Sequence, residues 1–176
     1  MRRALAVLAL LTLPNVALAQ GAQPYGGMER RAIKALSEQQ IADLKAGRGM
    51  GLALPAELNG YPGPMHALEH ADALALTRDQ RERTAALIAA MKAEAVPVGE
   101  RLIEQEAKLD GLFANRHITP ASLTAATQEI GATQARLREA HLKYHLAMMA
   151  VLSPEQVAKY RTLRGYAGEG HPPRHH

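Results

Sequence analysis

The chain has no cysteine, no tryptophan and a single phenylalanine, Phe113, and aromatic residues make up only 3% of it. Without cysteine, no disulfide adds stability and no thiol nucleophile is present, although an oxidising compartment remains tolerable. Scarce aromatics beside a hydrophobic content of 47% argue against sheet packing. Alanine-rich, closely packed helices suit that composition better, so the expected fold class is all-α. Net charge is also low. The formal charge is +4, and two of those charges, Arg2 and Arg3, lie at the extreme N-terminus, which leaves +2 beyond them. That balance is too weak for a nucleic-acid partner. Past the N-terminus no apolar run is long enough to span a membrane.

What is present begins with "MRRALAVLALLTLPNVALAQ". Arg2 and Arg3 form a charged start, Ala4 to Leu13 an apolar run, and Ala17-Leu18-Ala19 a small-x-small cleavage site. This order predicts a signal peptide over residues 1–19, export, and a periplasmic location. A flexible segment over 20–30, a helical domain over 31–165 and a polar tail over 166–176 with His171, His175 and His176 complete the expected organisation.

One pentapeptide is written three times: "LSEQQ" from Leu36, "LTRDQ" from Leu76 and "LSPEQ" from Leu152. Ser or Thr at a helix N-cap accepts a hydrogen bond from the N3 backbone N–H, and Gln at N3 reaches back to the N-cap N–H. Ser37/Gln40, Thr77/Gln80 and Ser153/Gln156 all have that spacing. Leu36 and Leu152 precede their caps and can staple onto Ile41 and Val157, whereas Arg81 takes that place in the middle copy. Three copies therefore mean three helix starts.

Helices are expected over Glu38–Ala46, Pro64–Ala75, Thr77 to about Asn115, Pro120 to about Val151, and Pro154–Arg164. The stretch between Gly47 and Pro64 reads as turn material. Its Gly47-x-Gly49-x-Gly51 spacing is no nucleotide fingerprint, since no strand precedes it. The two long helices carry apolar seams. One runs through Ile88, Met91, Ala95, Val98, Leu102, Leu109 and Phe113, and the other through Leu123, Ala126, Ile130, Thr133, Leu137, His141, Tyr144, Met148 and Val151. Steps of three and four with a short turn near Arg116 predict an antiparallel hairpin, kinked where Pro97 removes a helical hydrogen bond.

Corners of this type flanking a long α-hairpin, in an exported cysteine-free chain, resemble the Spy/CpxP (LTxxQ-motif) family over roughly residues 65–165. The resemblance implies a periplasmic all-α protein, often dimeric. It implies either an ATP-independent chaperone of envelope stress or a metal-responsive protein of nickel, cobalt or zinc resistance. Its nickel/cobalt sensor branch carries a His-x3-His before the first corner and a His-x3-Met before the last. His145-x3-Met149 matches the second pattern, and Ile88 stands where that branch has an acidic ligand.

Histidine placement bears on that choice. His66 and His70 are four apart, as are His141 and His145, and helical i, i+4 spacing puts both rings of a pair on one face. Imidazole pairs suit Zn²⁺, Ni²⁺ or Co²⁺ better than Mg²⁺ or Ca²⁺. His66, His70, His141, His145 and Met149 are thus the candidate metal ligands, although His141 also fits a hydrogen-bonded core position and the others a half-exposed surface. "HALEH" over 66–70 fits the H-x-x-E-H peptidase pattern, with Glu69 as base. A thin helical hairpin offers no walled cleft for that chemistry, and the chain is not expected to be an enzyme.

Two functions follow. The first is a holdase: Arg81, Arg83, Lys92, Arg101, Arg138 and Lys143 would attract acidic segments of unfolded envelope proteins, and apolar patches would hold them. No cofactor is required for that role. The alternative is a Zn, Ni or Co sensor or resistance accessory acting on a membrane-bound signalling partner. Leu87, Leu142, Leu146 and Met149 widen the apolar stripe beyond what one partner helix covers. The short helices are expected to cover only the open end of the hairpin, leaving Leu109, Leu112 and Phe113 bare at its turn, and a homodimer is expected to bury the excess.

Overall fold

Capping boxes punctuate the chain. In the computed structural model, which describes residues 24–166, Ser37, Thr77 and Ser153 each accept from the N3 backbone N–H through their side-chain oxygen. Each N3 glutamine in turn accepts from the N-cap N–H. Thr119 and Ser122 make a fourth box. The expected signal peptide and most of the polar tail lie outside the described residues.

Six helices result: α1 (Glu38–Lys45), α2 (Leu54–Glu57), α3 (Pro64–Glu69), α4 (Arg78–Ala114), α5 (Pro120–Met148) and α6 (Pro154–Leu163). Among the described residues there is no strand, so the all-α class holds. Helices α4 and α5 form the long hairpin. Its turn is closed by Arg116, at φ 57°, and by a bond from the His117 N–H to the Leu112 carbonyl. Pro97 lies inside α4, which continues through it. The seams are buried as expected at Met91, Ala95, Leu102, Ile130, Leu137, His141, Tyr144 and Met148, but Phe113 and Leu123 at the turn end are exposed.

Three details depart from the sequence reading. Helix α3 ends at Glu69 rather than Ala75: His70 is its C-cap, and the chain turns through Ala75 at φ 51°. The Leu76 N–H bonds the Ala71 carbonyl at 2.9 Å, and the turn buries both Leu74 and Leu76 while leaving Thr77 free to cap α4. Helix α2 lies within the stretch expected to be turns. Finally, α1 does not cover the open end. It packs on the middle of α4, where a Cβ on Gly99 would lie 2.8 Å from the Leu44 carbonyl oxygen. The segment before it reaches the turn end, where the Lys34 N–H bonds Asp110 at 3.3 Å.

The two corners do more than start helices. The Gln80 amide nitrogen donates to the Gln156 side-chain oxygen at 2.7 Å and to the Val151 carbonyl at 2.8 Å. The Gln156 nitrogen donates to the Gln80 oxygen at 3.0 Å and to the Leu74 carbonyl at 3.3 Å. Each oxygen also accepts from its own N-cap. Beside this pair, Leu76 and Leu152 are buried with Ala67, Ala71, Leu74, Met148, Val151 and Tyr160. Gln40 is exposed and only caps.

The corners should therefore be energetically unequal. Gln40→Ala should cost roughly 0.5–1 kcal/mol, and Gln80→Ala or Gln156→Ala about 2–3 kcal/mol, because each strands partly buried partners. In a urea-denaturation cycle the double variant should reveal a coupling of about 1 kcal/mol or more. Strictly additive losses would mean that the corners are independent.

Candidate functional site

Helix α5 places His141 and His145 on successive turns of its buried face, one a seam position and the other beside it. Helix α3, opened by Pro64 at its first position, brings His66 to the same region. Together with Met50, Met65, Met91, Gly49, Gly63 and Glu57 they line one cavity of about 320 Å³. Its rim is the Gly47–Gly51 loop. Gly49 lies against the His141 ring, and Gly63 against His145, where a Cβ would stand 3.0 Å from Cε1. Any side chain at position 63 would push that ring aside.

The tautomers follow from the partners. His145 Nδ1 lies 2.8 Å from the Tyr61 carbonyl oxygen. A carbonyl only accepts, so Nδ1 carries the hydrogen and, in the neutral ring, Nε2 keeps its lone pair. His66 Nδ1 lies 2.9 Å from the Glu69 carboxylate, which has the same effect. His141 is only 3% exposed, and its Nε2 has no hydrogen-bond partner. Burial, and then the neighbouring His145, hold its pKa below the ordinary imidazole value.

Glu57, itself buried, anchors the other side of the cavity. Its Oε1 accepts from the Tyr160 hydroxyl at 2.6 Å and from Arg164 Nε at 3.1 Å. Its Oε2 accepts from the Gly63 N–H at 3.2 Å and lies 3.7 Å from His145 Nδ1. Burial and then this carboxylate push the Tyr160 phenol far up, so it remains a donor. Three donors hold this carboxylate, and Arg164 balances its charge.

Of the expected ligands, His66, His141 and His145 meet at this cavity. His70, at the C-cap of α3, and Met149, at the C-cap of α5, do not line it. Among the described residues no three His, Cys, Asp or Glu side chains converge closely enough to hold an ion. In "HALEH", Glu69 bonds its own His66.

The six candidate client-binding cations divide evenly. Arg81 pairs with Asp72 at 2.7 Å, Arg83 bonds the Ala150 carbonyl at 3.0 Å, and Lys143 pairs with Glu94. Lys92, Arg101 and Arg138 are exposed and, among the described residues, make no ion pair.

A model of the heavy-metal resistance family matches residues 49–159, from the rim glycine to the last helix. The chain belongs to that family. The Spy/CpxP-type resemblance read from the corners agrees with this assignment. No curated protein and no solved structure matches the chain significantly. The matched region of this family member contains all three cavity histidines and Glu57, but not the first capping box.

Sequence reading missed Glu57, Gly49, Gly63, Met50 and Met65. Glu57 and Tyr160 are 103 residues apart, and nothing in local spacing joins them.

The depressed His141 pKa sets a pH dependence. The unfolded ring protonates near pH 6.5 and the folded ring only at lower pH, so stability is lost as the pH falls through that window. Thermal melts of the metal-free protein should fall between pH 7 and 5, and His141→Gln should flatten that fall. Lys143 and then Tyr144 hold Glu94 below its ordinary value of 4.5, so its loss comes later in acid. An unchanged slope in His141→Gln would show that another group controls the window.

Proposed function

We propose that this chain is an exported metal-responsive protein whose cavity takes up a heavy-metal ion through neutral imidazoles. One observation carries the reading: His141, whose buried Nε2 has no partner, lines the same cavity as two histidines whose Nδ1 hydrogens are already committed. Metal-ligating histidines characteristically donate their other ring N–H to a carbonyl or carboxylate, which fixes ring orientation and tautomer. Tyr61 and Glu69 supply those acceptors. The chemistry of these donors suits a heavy-metal ion, and because the three rings do not converge on one point, His66 and one histidine of α5 would hold it together with a further donor of the cavity wall. An ion shared in this way would tie α3 to the hairpin. Small rearrangements at the corners would then be available for reading by a membrane-bound partner.

Binding should raise the melting temperature, since a ligand at 100 times its Kd adds about 2.7 kcal/mol. It should weaken as the pH falls through the imidazole range, because protons compete for the lone pairs. Calorimetric titration of residues 20–168, which lack the tail histidines, should give saturable binding that His141→Ala and His66→Ala each abolish. Retention of full affinity in both variants would remove the cavity from consideration.

A second reading, the ATP-independent holdase, draws on a shallow apolar groove. It is formed by Ala86, Leu87, Ala147, Ala150 and Val151, with Arg83 among its lining residues, and Leu146 is 60% exposed on the same helical turn as Ala147. Mixed apolar and cationic surface is what such a role needs. The mature chain should suppress aggregation of a reduced client without ATP, and Leu146→Asp should reduce the effect severalfold. If Leu146→Asp instead converts a dimer to a monomer in light scattering and leaves suppression intact, the patch serves the expected homodimer.

A further inference from the structure

We propose that the cavity selects a soft monovalent ion, Cu(I) or Ag(I), over Zn²⁺, Ni²⁺ and Co²⁺, and that Met91 and Met65 act as ligands beside the imidazoles. The inference rests on the metal-binding reading above and names the class of ion.

The donors present decide the class. Three thioethers, from Met50, Met65 and Met91, line the same cavity as the three imidazoles. Met91 is only 6% exposed and lines that cavity from α4, while His141 and His145 line it from α5. The one carboxylate among the lining residues, Glu57, already accepts from Tyr160, Arg164 and Gly63. Neutral nitrogen and thioether sulfur therefore remain, and soft ligands of this kind favour Cu(I)-like ions, whereas carboxylate oxygen favours harder ones.

Charge points the same way. Glu57 is offset by Arg164, and the other lining cation, Arg48, pairs with Asp43 at 2.7 Å. A dication would enter a site with no spare negative charge. The Born cost of desolvation grows with the square of the charge, so it is about four times larger for a dication than for a monocation of similar size. Coordination number gives a third reason. Structural Zn²⁺ sites close with four ligands, and no three His, Cys, Asp or Glu side chains converge among the described residues. Soft monovalent ions are satisfied at low coordination number, so one imidazole of the cavity with one or two thioethers suffices.

The test uses the mature chain carrying His171→Ala, His175→Ala and His176→Ala, so that the tail adds no ligands. Ag(I) serves as an air-stable probe, read by native mass spectrometry and by isothermal titration in competition with Zn²⁺, Ni²⁺ and Co²⁺. One Ag(I) per chain should bind at least about tenfold more tightly than any of the divalent ions. Met91→Leu and Met65→Leu conserve volume, and each should weaken Ag(I) binding about tenfold while changing divalent affinity little. Melting curves confirm folding, and the half-exposed Met65 decides the question if Met91→Leu unfolds. Tighter divalent binding, or Ag(I) affinity unaltered in the methionine variants, overturns the inference and leaves the metal-binding reading standing. Binding of no ion at all overturns both.

Discussion

The reciprocal hydrogen bonding of Gln80 and Gln156 holds the corners of the fold together, and most of the remaining geometry depends on it. A carboxamide has two donors and two acceptor sites. Each glutamine uses all of them, on its own N-cap, on a carbonyl of the other corner and on its counterpart. Glutamate could replace neither residue, since a carboxylate would bring no donor for Val151 or Leu74 and would set an acceptor against the acceptor oxygen of the opposite glutamine. This explains why the second and third copies end in Gln even though a capping box accepts Glu equally well. With the corners in register, Leu76 and Leu152 are buried beside Tyr160. Tyr160 then lies where its hydroxyl reaches Glu57, and Glu57 and the Tyr61 carbonyl flank His145.

That causal order links a folding device to the cavity. Glu57, Tyr160 and Arg164 form a buried, charge-balanced wall that needs no ion to be satisfied. His145 and His66 are oriented by bonds at their Nδ1 atoms, and the glycines at 49 and 63 allow the backbone to come close to the His141 and His145 rings. A site assembled in this way pays little reorganisation on binding, because ring orientation and tautomer are already set. The seam around Tyr144 is anchored separately: its hydroxyl donates to Glu94 at 2.7 Å, and burial, followed by that carboxylate, pushes its pKa up to about 12.

Local signals were legible in the sequence and non-local ones were not. The capping boxes, Pro at first helical positions and the three-and-four seams each depend on residues within one or two turns, and they located α1, α4, α5 and α6 to within a residue or a few. The end of α3 has no Gly or Pro to mark it. Ala75 adopts a left-handed conformation because burial of Leu74 and Leu76 demands it, a tertiary constraint overriding propensity. That early end is why His70 left the face shared with His66. The α5 pair kept its spacing because the helix there is continuous. Met91 was legible only as a seam position of α4, whereas Glu57 entered through a short helix that the Gly- and Pro-rich segment concealed.

His141 is the residue that folding alone explains least well. It occupies a seam position between Leu137 and Tyr144 where an aliphatic side chain would pack without polar atoms. Instead the protein buries an imidazole whose Nε2 finds no partner, at a desolvation cost on the order of 1–3 kcal/mol. Burial also lowers its pKa, which favours the neutral ring and leaves a lone pair available. Both effects work against stability, and both favour coordination of a cation. His145 and His66, by contrast, each have one ring nitrogen hydrogen-bonded. The unpaired nitrogen, on a residue that lines a cavity together with three methionines, is the half of a bond that the proposed ion would complete.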